Sequence, residues 1–283
     1  MTTTATTTNP ADVVAPSARD ARPRPVSDAL TLAWRNVLNI RRNPQLLVFA
    51  TIQPVVFVLM FRYVFGGAIN TAALNGVPYI DFLMPGIFVQ TVVFGALTTA
   101  VGLATDLSLG LIERFRSLPI ARSAVLVGRT TADLGRNVFV IVLMCVVGFA
   151  IGWRIQTNVF GLIAALLLIL GFAYSLSWVF AFVGLSVRDP ETAQAASFPI
   201  LAPLIFASSA FVPVSTMPGW LQPWAEHQPV SVVVNAARAL TAGPESVTGF
   251  GSTTSLVLTA IAWIVGIVAV FAPLAVRKYR RVT

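Results

Sequence analysis

Side chains that could do chemistry are few in this sequence, and none stands in the motif that its chemistry requires. The only lysine, Lys278, is followed by Tyr279 and has no glycine loop before it, whereas a phosphate-binding P-loop needs G-x-x-x-x-G-K-[ST]. The only histidine, His227, has Glu226 beside it but no further ligand at metal spacing, which favours an ordinary interfacial histidine. The sequence therefore predicts no ATP site, no cofactor and no metal site in this chain.

Acidic residues are equally sparse. Only Asp189 and Glu191 stand close together outside the N-terminal region, whereas membrane prenyltransferases hold magnesium-pyrophosphate with paired motifs of the D-x-x-x-D kind. An intramembrane serine protease would need a histidine or lysine base inside an apolar stretch, and ion-driven pumps usually place carboxylates there. We therefore predict that the chain is not an enzyme and that another polypeptide supplies the energy for any uphill transport.

The elements that must position these residues are six long apolar stretches. Of the 283 residues, 56% are hydrophobic and 11% are charged, and the mean hydropathy is +0.81, far outside the range of soluble domains. About twenty apolar residues in a helix cross the hydrocarbon core of a bilayer. The sequence thus predicts an all-α integral membrane protein with six transmembrane helices at about residues 45–65, 80–105, 135–152, 159–187, 193–214 and 252–276.

The distribution of basic residues predicts the orientation. With both termini in the cytoplasm, all of the 19 basic residues except Arg62, Arg154 and Arg238 fall on the cytoplasmic side, as the positive-inside rule requires. The net charge of +8 then belongs to the flanks of the spans, which argues against nucleic-acid binding. We expect a multi-pass protein of the bacterial cell membrane, with a disordered cytosolic tail over residues 1–28 and the membrane domain over 29–283.

A helix that lies on the cytoplasmic leaflet is predicted between the tail and the first span. Residues 29–43 are too polar to cross a bilayer but carry an apolar stripe at helical spacing, and the tryptophan on this stripe suits the membrane interface. The candidate residues of this interfacial helix are Trp34, Arg35, Asn36, Arg41 and Arg42.

A second amphipathic helix is predicted in the loop over residues 106–129. Its leucines and phenylalanine recur on one helical face, the charged residues lie on the other, and a proline ends it. Such a helix either rests on lipid headgroups or docks its apolar face in a groove on a soluble partner. We favour the second interpretation, an ATPase-coupling helix, because the chain has no energy source of its own. Its candidate residues are Leu111, Glu113, Arg114, Phe115, Arg116, Leu118 and Pro119.

The segment 211–240 predicts a broken pair of short helices on the outer face. Its four prolines prevent a continuous helix, and residues 230–240 are long enough for half a bilayer only. The tryptophans suit the outer interface. The residues assigned to this outer re-entrant region are Trp220, Trp224 and His227.

Polar residues within the predicted spans allow two interpretations. They either make ordinary helix–helix hydrogen bonds or line a substrate path in which aromatic neighbours would suit a planar apolar molecule. The candidates for such a path are Gln53, Phe88, Gln90, Phe94, Phe206 and Phe211.

Four segments together resemble one transporter family. LAWRNVLNIRRNPQ (32–45), FLMPGIFVQT (82–91), GLIERFRSLPIARSAVLVGR (110–129) and FVPVSTMPGWLQPWAEHQPVSVVVNAARAL (211–240) are similar to the membrane subunits of ABC-2 type exporters, among them the daunorubicin and doxorubicin resistance permeases. The resemblance extends over about residues 29–280.

The resemblance implies a six-span permease that dimerises and works with two copies of a separate ATPase subunit, which binds ATP and magnesium. It implies export of a hydrophobic drug, of the anthracycline type, for self-resistance. It also implies a connecting helix over 32–43, a coupling helix over 110–119 and outer re-entrant helices over 217–240. The alternatives are an ABC-2 exporter of a lipid or a cell-surface glycan, and a membrane assembly factor that does not transport.

Overall fold

Helices make up almost the whole of the part of the chain that the structure, a computed structural model, describes. These residues are 44–67, 76–110, 122–187, 189–247, 249 and 251–282, and no strand occurs among them. The all-helical fold class is therefore confirmed for this part of the chain. The eight α-helices are α1 Pro44–Met60, α2 Tyr79–Ser108, α3 Arg122–Ala150, α4 Val159–Gly184, α5 Pro190–Phe206, α6 Gln222–His227, α7 Pro229–Ala242 and α8 Thr253–Val282.

Four of the described helices are long and apolar enough to cross a membrane. They are α2, the Leu126–Ala150 part of α3, α4, and the Thr253–Arg281 part of α8. Two other predicted spans are shorter: α1 has 17 residues and is extended by a π-helix over Phe61–Phe65, and α5 has 17 residues. Six crossings thus stay a prediction.

The third predicted span was placed too late in the sequence. We expected a loop to residue 129 and a helix over 135–152, but α3 begins at Arg122. The polar side chains in its first half have partners on α2, since Arg129 pairs with Asp106 and Asp133 accepts from Thr99. A helix continues through polar residues when a neighbouring helix satisfies them.

The fifth predicted span ends earlier than expected. We predicted 193–214, whereas α5 ends at Phe206 and irregular backbone leads to a short 3-10 helix over Val214–Thr216. Pro199 and Pro203 lie inside α5 and lack the N–H groups that would continue its hydrogen bonds. The bounds of the second and fourth spans agree with the prediction within a few residues, and α8 runs six residues beyond the predicted end of the sixth.

The helix α2 is the centre of the bundle. It packs against α3, α4, α5 and α7, and most of its N-terminal half is buried. Glycines allow the closest backbone approaches, because a Cβ on Gly86 would collide with the main chain of Ala210 and one on Gly184 with that of Ala100. By contrast α8 packs mainly on α4 and α7 and leaves large apolar side chains such as Val265 and Leu258 exposed, as expected for a helix that faces lipid.

Candidate functional site

A cavity of about 130 Å³ opens between α1, α2 and α3. One polar side chain on its wall, Gln53, comes from α1, and the others come from α2 and α3. On α2, Gln90 and Thr98 are eight residues apart and therefore share a helical face. The cavity thus collects polar groups from three helices at one level of the bundle. Its lining residues are Gln53, Pro54, Gln90, Thr91, Phe94, Gly95, Thr98, Arg136, Asn137 and Val140.

The inner wall of the cavity is built around Gly95. Arg136 donates from Nη2 to the Gly95 carbonyl oxygen over 2.7 Å, and the Thr98 hydroxyl donates to the same oxygen over 2.8 Å. A Cβ on Gly95 would lie 2.6 Å from Asn137 Oδ1 and 3.3 Å from Arg136 Nη2. A side chain at this position would therefore push both polar groups away from α2.

Two amide side chains of the cavity each have one atom without a hydrogen-bond partner among the described residues. Gln90 and Asn137 are each 2% exposed, yet Gln90 Oε1 and Asn137 Nδ2 make no hydrogen bond within the described part of the chain. A buried polar group without a partner costs about 1–3 kcal/mol. Arg136 forms no ion pair with any described residue. Ionisable residues at membrane depth usually mark a functional site, so this wall is the best candidate for a ligand contact.

A line of polar contacts continues from the cavity along the contact between α2 and α3. The Thr99 hydroxyl donates to Asp133 Oδ2 over 2.6 Å, and Arg129 Nη1 donates to Asp106 Oδ2 over 2.6 Å. The guanidinium of Arg129 occupies the space that a Cβ on Gly102 would take. We call the four side chains of Thr99, Asp133, Arg129 and Asp106 the polar seam. It ends two residues before Ser108, where α2 ends.

The predicted path residues fall into separate groups. Gln53, Gln90 and Phe94 meet at the cavity. Phe88 is buried and packs edge-on against Trp153, with their ring centroids 5.4 Å apart. Phe206 is the last residue of α5, and Phe211 follows that end. The Phe211 ring stacks on the Phe61 ring, with their centroids 4.6 Å apart. The six candidates therefore lie in three places, namely the cavity, the contact of Phe88 with Trp153 and an aromatic cluster around Phe211, and a substrate path through them stays a prediction.

The outer segment forms two short helices, α6 and α7. Trp220 and Trp224 are 80% and 52% exposed, and the Nδ1 atom of exposed His227 lies 2.9 Å from the Pro223 carbonyl oxygen. Nearly all of α7 is buried, and it ends before Gly243, whose φ of 96° belongs to the left-handed region that favours glycine. The break into two helices is thus as expected, while their depth in a membrane stays a prediction.

A polar stripe on this outer segment was missed at the level of sequence. Gln228, Ser231, Asn235 and Arg238 recur at intervals of three and four residues, which places them on one helical face. All four are at most 3% exposed. This spacing in an otherwise apolar helix was a detectable signal.

The polar stripe holds the chain that follows α5. Gln228 Nε2 donates to the carbonyl oxygens of Leu204 and Ala207 over 3.0 and 2.9 Å, and so caps the end of α5. Ser231 Oγ accepts from the Ser209 N–H over 2.9 Å, and the Ser209 hydroxyl donates to Asn235 Oδ1 over 2.9 Å.

Arg238 is the most buried charge of this region. It is one of the three basic residues that the charge distribution leaves off the cytoplasmic side, and it is only 1% exposed. Its Nε donates to the Phe82 carbonyl oxygen over 3.0 Å and its Nη1 to Asn235 Oδ1 over 2.9 Å, and its guanidinium carbon lies 3.5 Å from the Phe82 ring centroid. It therefore joins α2 to α7 through neutral acceptors and an aromatic face.

The two predicted cytoplasmic helices lie outside the described side chains. Arg129, the last residue of the predicted loop 106–129, lies within α3 instead, and so does Arg136, which the count of basic residues placed on the cytoplasmic side. The coupling residues Leu111, Glu113, Arg114, Phe115, Arg116, Leu118 and Pro119 and the connecting residues Trp34, Arg35, Asn36, Arg41 and Arg42 fall in ranges that the structure does not describe.

Comparison with known proteins gives a consistent family. The sequence model of the family described as ABC-2 type transporter matches residues 28–241. The daunorubicin resistance ABC transporter permease protein DrrB1 of Streptomyces coeruleorubidus is 36% identical, over 95% of this chain and 91% of that protein. The doxorubicin resistance ABC transporter permease protein DrrB of Mycobacterium tuberculosis is 29% identical, over 77% of each chain.

Proposed function

Since the chain belongs to the ABC-2 type transporter family, we propose that it is the membrane subunit of an ATP-driven exporter of hydrophobic drugs. Two permease copies work with two copies of a separate ATPase subunit, and that subunit binds ATP and magnesium. The relatives named for daunorubicin and doxorubicin resistance support a drug of the anthracycline type as the substrate.

The proposed topology has six crossings and both termini in the cytoplasm of a bacterial cell. The basic residues near the C-terminus, among them Arg280 and Arg281 at the exposed end of α8, support it. In this orientation α2 runs from the outer face to the cytoplasm, and its last turn leads into the segment 110–119.

The observation that carries this proposal is the continuity between the cavity and the last turns of α2, which the segment 110–119 follows in the sequence. The polar seam runs from Thr99 beside the cavity to Asp106 near the end of α2. A push on the coupling helix by the ATPase would reach α2 and α3 together, because these helices are joined by hydrogen bonds along the seam. Such a rigid-body shift would change the access of the cavity from one side of the membrane to the other.

Transport into inverted membrane vesicles tests the division of labour. With both subunits present, doxorubicin should accumulate only when ATP is added. The decrease of doxorubicin fluorescence measures this accumulation. Vesicles with the ATPase subunit alone are the control. ATP-dependent accumulation by the permease without its partner would contradict the proposal.

Charge reversal tests the coupling helix. The single variants Glu113→Arg and Arg116→Glu should weaken co-purification with the ATPase subunit, because charges across such an interface fix its register. Arg154→Glu, on the outer side in the proposed topology, is the matched control. Unchanged co-purification of all three variants would support a helix that rests on lipid instead.

A further inference from the structure

The cavity between α1, α2 and α3 offers an excess of hydrogen-bond donors. A guanidinium carries five N–H groups, and Arg136 uses one hydrogen bond, to the Gly95 carbonyl oxygen. Asn137 Nδ2 adds a buried donor without a described partner. Gln90 Oε1 is a buried acceptor without a described partner, but a turn of this amide would present its N–H groups instead, and the amide of Gln53 can turn in the same way. No carboxylate stands among the described residues that line the cavity, so these residues favour a ligand that accepts hydrogen bonds.

The position of the cavity makes this excess significant. Gln90 lies eleven residues after the start of α2, about 16 Å along the helix, and the hydrocarbon core is about 30 Å thick. Arg136 lies fourteen residues before the end of α3, about 21 Å along it. The negative charge of Asp133 offsets that of Arg136 in part, although the two side chains form no direct ion pair. A cation near mid-membrane without a direct ion pair is costly, and a ligand of opposite charge would relieve the rest of that cost.

The size of the cavity limits what it can hold. Its volume of about 130 Å³ is well below the 300–1,000 Å³ that drug-sized ligands occupy. It can therefore accept a polar group and not a whole drug. Gln53 and Thr98 are exposed at its rim, where Ile52 and Val56 add exposed apolar surface. An apolar body can lie there while its polar group enters.

We propose that this cavity binds a negatively charged oxygen group, a carboxylate or a phosphate, carried on an apolar body. Arg136 and Asn137 donate to that group, and Phe94 and Val140 contact the adjoining carbon chain. Arg136 repels a protonated amine, so an amine-bearing drug of the anthracycline type, which has no carboxylate or phosphate, would place only its uncharged oxygens here and bind less tightly than an acidic amphiphile. This inference rests on the proposed function, because it adds an acidic amphiphile to the molecules that the exporter is proposed to move.

Fluorescent probes that share one apolar body test the proposal. The probes are 11-(dansylamino)undecanoic acid, its methyl ester and a dansyl alkylamine of equal length, added to the permease in phosphatidylcholine nanodiscs, with empty nanodiscs as the baseline. The acid should bind about tenfold more tightly than the ester, because charge-assisted hydrogen bonds are roughly twice as strong as neutral ones. The amine, a cation that Arg136 repels, should bind no more tightly than the ester. Equal affinity for the acid and the amine would overturn the proposal.

Variants assign the preference to this cavity. Arg136→Gln should abolish the preference for the acid and Arg136→Lys should keep part of it, while Arg280→Gln at the exposed end of α8 is the control. Gln53→Glu changes an exposed rim residue, so the fold should tolerate it, and it should shift the preference toward the amine. An unchanged preference in Gln53→Glu or in folded Arg136→Gln would overturn the proposal.

The lipid composition distinguishes the two sources of the oxygen group. If an anionic lipid headgroup occupies the cavity, replacing part of the phosphatidylcholine by phosphatidylglycerol should displace the acid probe from the wild type but not from Arg136→Gln. If the transported amphiphile is the occupant, that replacement should leave probe binding unchanged. Either result supports the oxygen-group chemistry and identifies its source.

The binding assay needs neither ATP nor the ATPase subunit. If the wild-type permease shows no preference for the acid probe but still supports ATP-dependent drug transport, the inference alone is contradicted. If the wild-type permease prefers the acid probe but supports no ATP-dependent drug transport with its partner, the proposed function alone is contradicted.

Discussion

Arg238 Nη2 donates to the Ser209 carbonyl oxygen over 2.9 Å, although the two residues stand 29 positions apart in the sequence. The same guanidinium also donates to Phe82 on α2 and to Asn235 on α7. One buried side chain thus connects α2, α7 and the irregular backbone that follows α5. In the proposed topology these elements close the outer end of the bundle.

Arg238→Met should loosen this connection. The change removes the guanidinium from two buried carbonyl oxygens and leaves Asn235 Oδ1 with the Ser209 hydroxyl alone, so we expect a loss of about 1–3 kcal/mol in unfolding free energy. We also expect faster amide hydrogen exchange over residues 207–213, where the Ser209 N–H bonds to Ser231. Mass spectrometry of the corresponding peptides measures this exchange.

Arg238→Lys and Arg154→Met are the matched variants. The lysine keeps the charge but not the planar fork of donors, so its effect should be intermediate. Arg154 is exposed, and its change should alter stability by less than about 0.5 kcal/mol. Unaltered exchange over 207–213 in Arg238→Met would show that the guanidinium does not hold this segment.

Gly86→Ala should destabilise the bundle more than Gly171→Ala. A Cβ on Gly86 would meet the main chain of Ala210, which cannot move as a side chain can, whereas one on Gly171 would lie 3.5 Å from the Ile264 side chain. Overpacking of this kind costs about 1–3 kcal/mol. Thermal unfolding of both variants in the same nanodiscs measures the difference, and equal melting temperatures would contradict the close approach.

Trp153→Ala should be far more damaging than Trp220→Ala. Trp153 is fully buried and packs on Phe88 and Phe149, with ring centroids 5.4 and 4.9 Å away, whereas Trp220 is 80% exposed. Truncation of a buried tryptophan costs about 3–5 kcal/mol, while an exposed change stays within about 0.5 kcal/mol. Chemical unfolding followed by circular dichroism provides the comparison. Similar losses in the two variants would contradict the burial of Trp153.

The ion pair between Asp106 and Arg129 should be detectable by a double-mutant cycle. Its side chains are 27% exposed each, so we expect a coupling energy of about 0.5–1 kcal/mol from the variants Asp106→Asn and Arg129→Gln. A cycle between Asp106 and the distant Arg154 is the control, and it should be additive within about 0.5 kcal/mol. Additivity in the first cycle would mean that this part of the polar seam does not join α2 to α3.

Hydropathy and proline placement were sufficient for much of the architecture. Long apolar stretches must be helical in a bilayer, because no solvent there satisfies the backbone, so α2, α4 and α8 were predictable. The prolines of segment 211–240 likewise predicted a break into short helices, and α6 and α7 agree. Three of the six path candidates, Gln53, Gln90 and Phe94, line the cavity, since polar residues at helical spacing in apolar helices seek a common interior.

Only the tertiary structure decided where the charges of α3 and α7 lie. From the sequence pattern alone, Arg129, Arg136 and Arg238 are not expected to be buried, because the pattern shows no partner for their charges. In the fold the partners come from distant positions: the Gly95 carbonyl oxygen lies 41 residues from Arg136, and the Phe82 carbonyl oxygen lies 156 residues from Arg238. Composition along the chain therefore determined that this protein is a helical membrane bundle. Remote partners of three arginines decided the start of α3, the polar cavity and the junction of α2 with α7: the Asp106 carboxylate and the carbonyl oxygens of Gly95 and Phe82. The cost of burying a charge depends on such neighbours, which proximity in sequence does not supply.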